Sequence, residues 1–175
     1  MALRDIDKAG LVFARTRGHS PRLERTVAAY SRAGEHAACW IALGLFGALV
    51  CKDRDRRHAW LRGVGVVAGS YGVNQAIKFV VRRRRPDLAG LPPLTPVVTQ
   101  LSFPSAHATT SFAAARAYRG LAPARLLYLA AGAFAVSRPY LGVHYPSDVV
   151  AGAALGTAVA KLSAAAVAGS AGGPP

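Results

Sequence analysis

Apolar residues fall in blocks along this chain, and charged residues collect at the ends of the blocks. One block runs from about His36 to Cys51 and closes on Lys52-Asp53-Arg54-Asp55-Arg56-Arg57. A second runs from about Leu61 to Val81 and stops at four arginines, Arg82 to Arg85, followed by Pro86. A third helix is expected from near Pro104 to near Arg119, a fourth over about Ala124 to Val136, and a fifth from about Pro146 to Gly169. Between the second and third lie about twenty residues rich in Pro, Thr and Leu, a loop long enough to call for a functional reason. Ahead of the blocks, Leu3, Ile6, Leu11, Val12, Leu23 and Val27 are interspersed with Arg and Lys. That pattern predicts one or two amphipathic helices, broken near Gly18 and Pro21, lying on a membrane surface rather than crossing it.

A helix needs about 20 residues to cross about 30 Å of hydrocarbon. The second and fifth blocks meet that length comfortably, and the first, third and fourth are short. A soluble bundle with Ala-rich core helices is therefore the competing reading. Composition tilts the balance: the chain is 52% hydrophobic and 17% charged, against about 25% charged in an ordinary soluble domain. Much of the apolar content is Ala and Gly, which lets membrane helices pack closely. The expected architecture is all-α: an integral-membrane bundle of about five transmembrane helices with amino-terminal amphipathic helices. It divides into an interfacial segment 1–30, a membrane-embedded domain 31–170 and a flexible tail 171–175.

The net charge of +14 suits nucleic acid, anionic lipid headgroups or a phosphate-bearing substrate. Basic residues at the ends of apolar helices favour the membrane. With no zinc-ligand spacing and no aromatic-rich basic strand, nucleic acid is set aside. Cys39 and Cys51 sit twelve positions apart in one expected helix, roughly 18 Å at 1.5 Å per residue, too far for a disulfide. Arg4, Asp5, Asp7 and Lys8 interrupt the start, so no cleavable signal peptide is expected. No internal repeat is visible.

Three polar clusters carry the candidate chemistry: Lys78 through Arg85-Pro86, Pro104-Ser105-Ala106-His107, and Ser137-Arg138 through His144 to Asp148. The first closes the second helix, the second opens the third, and the third joins the fourth to the fifth. If the helices alternate in direction, all three meet on one face. Lys78, Arg85 and Arg138 are cations able to surround a phosphoryl group, with Arg offering a planar fork to its oxygens. Pro104 suits the first helical position, which would aim the amides of Ala106 and His107 at an anion; the Ser105 hydroxyl adds a donor. His144 precedes Asp148 by four residues, a spacing that lets the carboxylate hold one ring nitrogen and leaves the other nucleophilic. His107 can donate a proton to a leaving oxygen. Carboxylates are too few for a metal site.

These clusters resemble the three-part signature of the type 2 phosphatidic acid phosphatase family, which includes lipid phosphatases, acid phosphatases and vanadium haloperoxidases. The first and third match at every defined position; the second carries Ala106 where Gly is usual. The resemblance implies that His144 forms a phosphohistidine, Asp148 orients it, and His107 protonates the leaving alkoxide and then activates water. It implies phosphate binding by Lys78, Arg85, Ser105, Ala106 (through the helix-start amides) and Arg138, with no metal or other cofactor. It further implies a phosphorylated lipid substrate: phosphatidic acid, phosphatidylglycerol phosphate, or a polyprenyl phosphate or diphosphate such as undecaprenyl diphosphate or decaprenylphosphoryl-phosphoribose. Such a role belongs to cell-wall precursor or carrier-lipid metabolism in a bacterial plasma membrane, with membrane lipids as neighbours and self-association left open. A vanadate-dependent haloperoxidase and a non-enzymatic anion-binding membrane protein are the alternatives.

Other polar residues are read as scaffold. Arg82, Arg83 and Arg84 are expected to be headgroup anchors, His19, His36 and His58 interfacial, and Asn74 a buried polar contact. Trp40, Trp60 and Tyr71 fit a membrane boundary or bundle packing, and Asp87 a turn or an ion pair. Lys and Arg counts on the two faces do not decide which side of the membrane carries the site.

Overall fold

A computed structural model describes residues 3–171, and every regular element among them is helical. Helix α1 is Leu3–Thr16 and α2 is Pro21–Ala33. The break between them falls where the sequence predicts it: Gly18 takes φ +68°, Ser20 caps α2 by accepting from the Leu23 amide, and Pro21 opens it. A 3-10 turn, Glu35–Ala37, leads into α3, Ala38–Val50. Then follow α4, Arg54–Val81; α5, Ala106–Tyr118; α6, Ala124–Tyr140; and α7, Pro146–Ala171.

Three boundaries differ from expectation, each for a local reason. Helix α4 begins at Arg54 rather than near Leu61 because Asp53 caps it, its carboxylate accepting from the Arg56 amide at 2.7 Å. Helix α6 runs past Val136 to Tyr140 and carries Arg138 and Pro139 in its last turn. Pro104 is not the first residue of α5; it follows a cis bond to Phe103, and Ser105 is the residue that flanks the helix start. The segment is held out of the helix by its neighbours. The Ser105 amide donates to the Asp148 carbonyl at 2.9 Å, and the Pro104 carbonyl accepts from Asn74 and Lys78.

Helix α5 is the axis of the bundle. Nine of its 13 residues are buried, which explains how so short and polar a helix can sit inside: α3, α4, α6 and α7 all pack against it. The α5–α7 approach is set by Gly152 and Gly156. A β-carbon on Gly156 would lie 2.0 Å from the Thr109 carbonyl oxygen, and one on Gly152 would lie 2.6 Å from that of Ser105. At the far end, Tyr118 is fully buried, donates to the Trp40 carbonyl at 3.1 Å and packs on Trp60. Trp40 and Trp60 are thus core residues.

Beside an apolar core the bundle buries many polar side chains, and it turns large apolar ones outward. Ser70, Asn74, Lys78, Thr109, Thr110 and Ser111 are buried, while Phe46, Leu49, Val80, Leu129, Val136 and Leu162 are more than half exposed. Such a surface has no place in water and fits lipid. Among the described residues two helices, α4 and α7, are long and apolar enough to cross a membrane, and the α2–α3 pair, bent by 49°, makes a third if it counts as one span. Length and apolarity by themselves therefore mark two to three spans. Helices α1 and α2 are docked on the bundle, α1 against α6 and α7 and α2 against α6, with Leu11, Asp7 and Arg15 buried.

Candidate active site

The segment 82–105 folds back on the end of α4 and forms one wall of a cavity. The Arg85 amide donates to the Gln100 carbonyl and the Ser102 amide to that of Arg83. Lys78, on the last turns of α4, reaches under this wall, and its Nζ donates to the carbonyls of Pro104 (3.1 Å), Leu101 (3.2 Å) and Ser102 (3.5 Å). All three of its protons face main-chain carbonyls. Lys78 therefore fastens the wall as well as bringing a charge to the cavity, which it lines.

Arg85 crosses from the wall to the turn before α7. Its Nε donates to the Thr99 carbonyl at 2.7 Å and its Nη1 to the Val143 carbonyl at 2.7 Å. The same Nη1 lies 3.1 Å from His144 Nε2. A guanidinium can only donate, so Nε2 is the acceptor and carries the lone pair. The proton then sits on Nδ1, which lies 3.5 Å from Asp148 Oδ2. That is an electrostatic contact rather than a short hydrogen bond. The tautomer is the one a nucleophilic Nε2 needs. Burial above all, then the charges of Arg138, Arg85 and Lys78, push His144 well below the ordinary imidazole range, so the ring is neutral at physiological pH. Burial also lowers Arg85, to about 10, leaving it cationic.

Asp148 is held from two sides. Its Oδ2 accepts from the Tyr145 amide at 2.9 Å, and its Oδ1 accepts from Arg83 Nη1 at 2.8 Å. Arg83 was expected to anchor headgroups beside Arg82 and Arg84; it instead bridges Asp148 to Asp7 of α1, with Nη2 2.7 Å from Asp7 Oδ2. Its guanidinium also stacks on Tyr145, 4.1 Å from the ring centroid. Asp7 in turn accepts from the Ser147 amide at 2.9 Å and the Ser147 hydroxyl at 2.5 Å. Burial would raise the Asp7 pKa; the Ser147 and Arg83 bonds more than offset it and hold the carboxyl below its usual range.

His107 occupies the second position of α5, and its Nε2 donates to the Ser31 carbonyl of α2 at 2.9 Å. That leaves Nδ1 for proton exchange. Arg138, buried on the last turn of α6, donates through Nη1 to the Ser31 hydroxyl, and its Nε is buried without a partner. Ser31 thus positions a histidine with its carbonyl and an arginine with its hydroxyl. The Ser105 hydroxyl is also buried and unpaired. The first amides of α5, at Ala106 and His107, have no acceptors within the helix.

Lys78, Arg85, Ala106, His107, Arg138 and His144 line a single cavity of about 80 Å3. That is room for a phosphoryl group and a few atoms beyond it, well below the roughly 300 Å3 at which whole-ligand pockets begin. Three cations line it against one carboxylate, Glu35, and Asp148 behind them already has Arg83 as its counter-ion. The cavity therefore carries an excess of positive charge that suits an anion. Arg83, Asp7 and Ser31 escaped the sequence reading. Nothing in a run of four arginines marks Arg83, and only the fold brings residues 7 and 31 to the site. Asn74 is the buried polar contact expected of it, donating to the Thr109 hydroxyl at 2.9 Å.

A histidine beside a carboxylate, a second histidine and an array of cations surround an anion-sized cavity on a helical bundle, an arrangement chemically able to hold a phosphoryl group and offer it a nucleophile. The chain belongs to the PAP2 superfamily, whose pattern matches residues 58–170, and it is accordingly a phosphoric ester hydrolase. It is 39% identical over 142 residues to the decaprenylphosphoryl-5-phosphoribose phosphatase of Mycobacterium tuberculosis, covering 81% of this chain and 79% of that one. Against the enzyme of the same name from Mycolicibacterium smegmatis the identity is 42% over 127 residues, 71% of this chain and 68% of the other. Among solved structures, Aquifex aeolicus LpxE superposes with a TM-score of 0.77 at 20% identity over 94% of this chain and 99% of that one. The PAP2-type phosphatidylglycerolphosphate phosphatase of Bacillus subtilis gives 0.72 at 23% identity over 93% and 85%. These two show a shared fold.

Proposed function

We propose that this protein removes the terminal phosphate of a polyprenyl-phosphoryl sugar phosphate in a bacterial plasma membrane, by way of a phosphohistidine. The observation that carries the chemistry is His144 Nε2, unprotonated and facing Arg85 at a cavity lined by cations. The 39–42% identity to two decaprenylphosphoryl-5-phosphoribose phosphatases favours that lipid class. Helices α3 to α7 form the membrane-embedded bundle, with α5 reaching only part of the way, and α1 and α2 lie at the interface on the face that carries the site.

In the first step the Nε2 lone pair forms a bond to phosphorus while the ester P–O bond breaks. His107 Nδ1 takes the proton of the monoanionic substrate phosphate, the Ser31 carbonyl supporting the cationic ring by accepting from Nε2, and passes it to the leaving alkoxide, which returns the ring to neutral. In the second, His107 takes a proton from water, the hydroxide oxygen bonds to phosphorus, and the P–N bond breaks to return His144 and inorganic phosphate. Lys78, Arg85, Arg138, the Ser105 hydroxyl and the α5 amides take up the charge on the phosphoryl oxygens. Asp148 steadies the charge that forms on His144. Phosphate release from a short-chain prenylphosphoryl-ribose 5-phosphate in detergent, with EDTA present, tests the reading. Turnover is expected in the wild type and a fall of at least about a thousandfold in His144→Ala, equivalent to about 4 kcal/mol of barrier. Full activity in that variant would remove the proposed nucleophile.

A further inference from the structure

Four residues that line the cavity take no part in the phosphoryl chemistry: Glu35 and His36 of the 3-10 turn and Tyr71 and Gln75 of α4. They are half-buried or exposed where the two site histidines are buried, which puts them at the mouth, outside the volume that holds the phosphoryl group. Tyr71, Gln75 and Lys78 are spaced i, i+4, i+7 and so lie along one face of α4. This polar lane leads away from Lys78 for roughly 10 Å at 1.5 Å per residue. The side chains are organised: Gln75 Nε2 donates to the Tyr71 hydroxyl at 2.9 Å, and His36 Nδ1 lies 2.9 Å from the same oxygen. Gln75 Oε1 is shielded from solvent without a partner, and the Glu35 carboxylate forms no salt bridge among the described residues.

The backbone here is held in an unusual form. His36 and Ala37 both have left-handed φ, +52° and +62°, a conformation residues with a β-carbon rarely adopt and one that concentrates at functional sites. Packing enforces it. Gly34 sits so close to Phe134 and the His107 ring that a β-carbon there would lie 2.7 and 3.0 Å from them. The turn is thereby pressed against the second histidine, which brings Glu35 to the rim.

The two ends have opposite character. One is cationic and rich in donors; the other presents acceptors, the Glu35 carboxylate and Gln75 Oε1, which can receive hydrogen bonds. An acceptor end repels a phosphate joined directly to the first, as in a lipid diphosphate, whereas a phosphodiester on the far side of a sugar ring lies beyond it; to a plain alkyl ester it offers no hydrogen-bond partner. It satisfies hydroxyl groups. We infer that the Glu35–Tyr71–Gln75 ledge is a polyol subsite that selects a leaving group bearing free hydroxyls, a sugar monophosphate headgroup, over lipid diphosphates and simple alkyl monophosphates. This rests on the phosphatase reading above and names the substrate chemistry of the same site.

The test compares kcat/KM for three probes of one chain length: a prenylphosphoryl-ribose 5-phosphate, an alkyl monophosphate and an alkyl diphosphate. The wild type is expected to favour the ribose compound over the alkyl monophosphate by at least tenfold. Gln75→Leu and Tyr71→Phe should each cut that ratio about threefold to tenfold, and Glu35→Lys should cut it and raise the relative rate on the diphosphate. A wild-type ratio near one, or a ratio that none of the three variants moves, overturns the subsite. Failure of the wild type on all three probes overturns the phosphatase reading instead. Tyr71→Phe keeps the ring, so the ratio stays measurable should Glu35→Lys not fold.

Discussion

At the residue scale the site depends on which nitrogen of each histidine is free. Arg85 fixes His144 with its lone pair on Nε2, and Ser31 fixes His107 with its proton on Nε2. Sequence spacing pointed to both histidines and to Asp148, because residues four apart across a helix start come within reach of one another. It did not disclose the tautomers, which rest on Val143, Thr99 and Ser31 carbonyls that no motif encodes. The environment of His144 has a consequence for pH. Its folded pKa lies below the unfolded value of about 6.5, so between the two the unfolded chain binds the extra proton. Stability contributed by the neutral ring is complete above about pH 6.5 and is lost as pH falls through the folded pKa. The nucleophile persists over the same range. The acid limb of kcat/KM, which reports the free enzyme, is expected below pH 6.5 once the ionisation of the substrate phosphate is allowed for. A limb at or above that pH that follows His144 would contradict the assigned environment.

At the element scale, α1 is joined to the chemistry through Asp7, Arg83 and Asp148. The pattern of residues 1–30 predicted one or two helices with a break near Gly18 and Pro21, and two helices with that break are present. Their docking was not, because a buried Asp7 and Arg15 look from sequence like any charged residues on a solvated face. Asp7→Ala should loosen α1 and let Arg83 drift from Asp148. The expected result is a kcat lower by about tenfold, about 1.4 kcal/mol, with KM little changed. Kinetics on the wild type, on Asp7→Ala and on Asp7→Asn, which keeps the shape, measure it. The same contact carries its own pH dependence. The Asp7 carboxyl is held below its usual range, so the docking it supports is present above its unfolded pKa of about 3.9 and is lost as pH falls through the lower, folded value. Protease nicking between α1 and α2 should therefore stay slow down to about pH 4 and quicken only below it.

At the scale of the whole molecule, a polar, small-residue helix lies at the centre beside the apolar core, and large apolar side chains also face outward. The apolar blocks located all five bundle helices, but hydropathy could not say that α5 is short because it is enclosed. Its enclosure depends on α7 riding directly over its backbone at Gly156, where a methyl group would collide with the Thr109 carbonyl. Gly156→Ala is expected to cost about 1–3 kcal/mol and to lower the melting temperature in detergent, whereas Gly169→Ala, at a position with nothing within 4 Å, should not. All of this architecture serves one claim, that His144 takes the phosphoryl group. Rapid acid-free quenching of the wild type with a substrate labelled in its terminal phosphate, followed by peptide mapping, tests it most directly. The account predicts a base-stable, acid-labile label on the peptide containing His144, absent from His144→Ala. A label on another residue, or turnover with the label passing only to water, would contradict it.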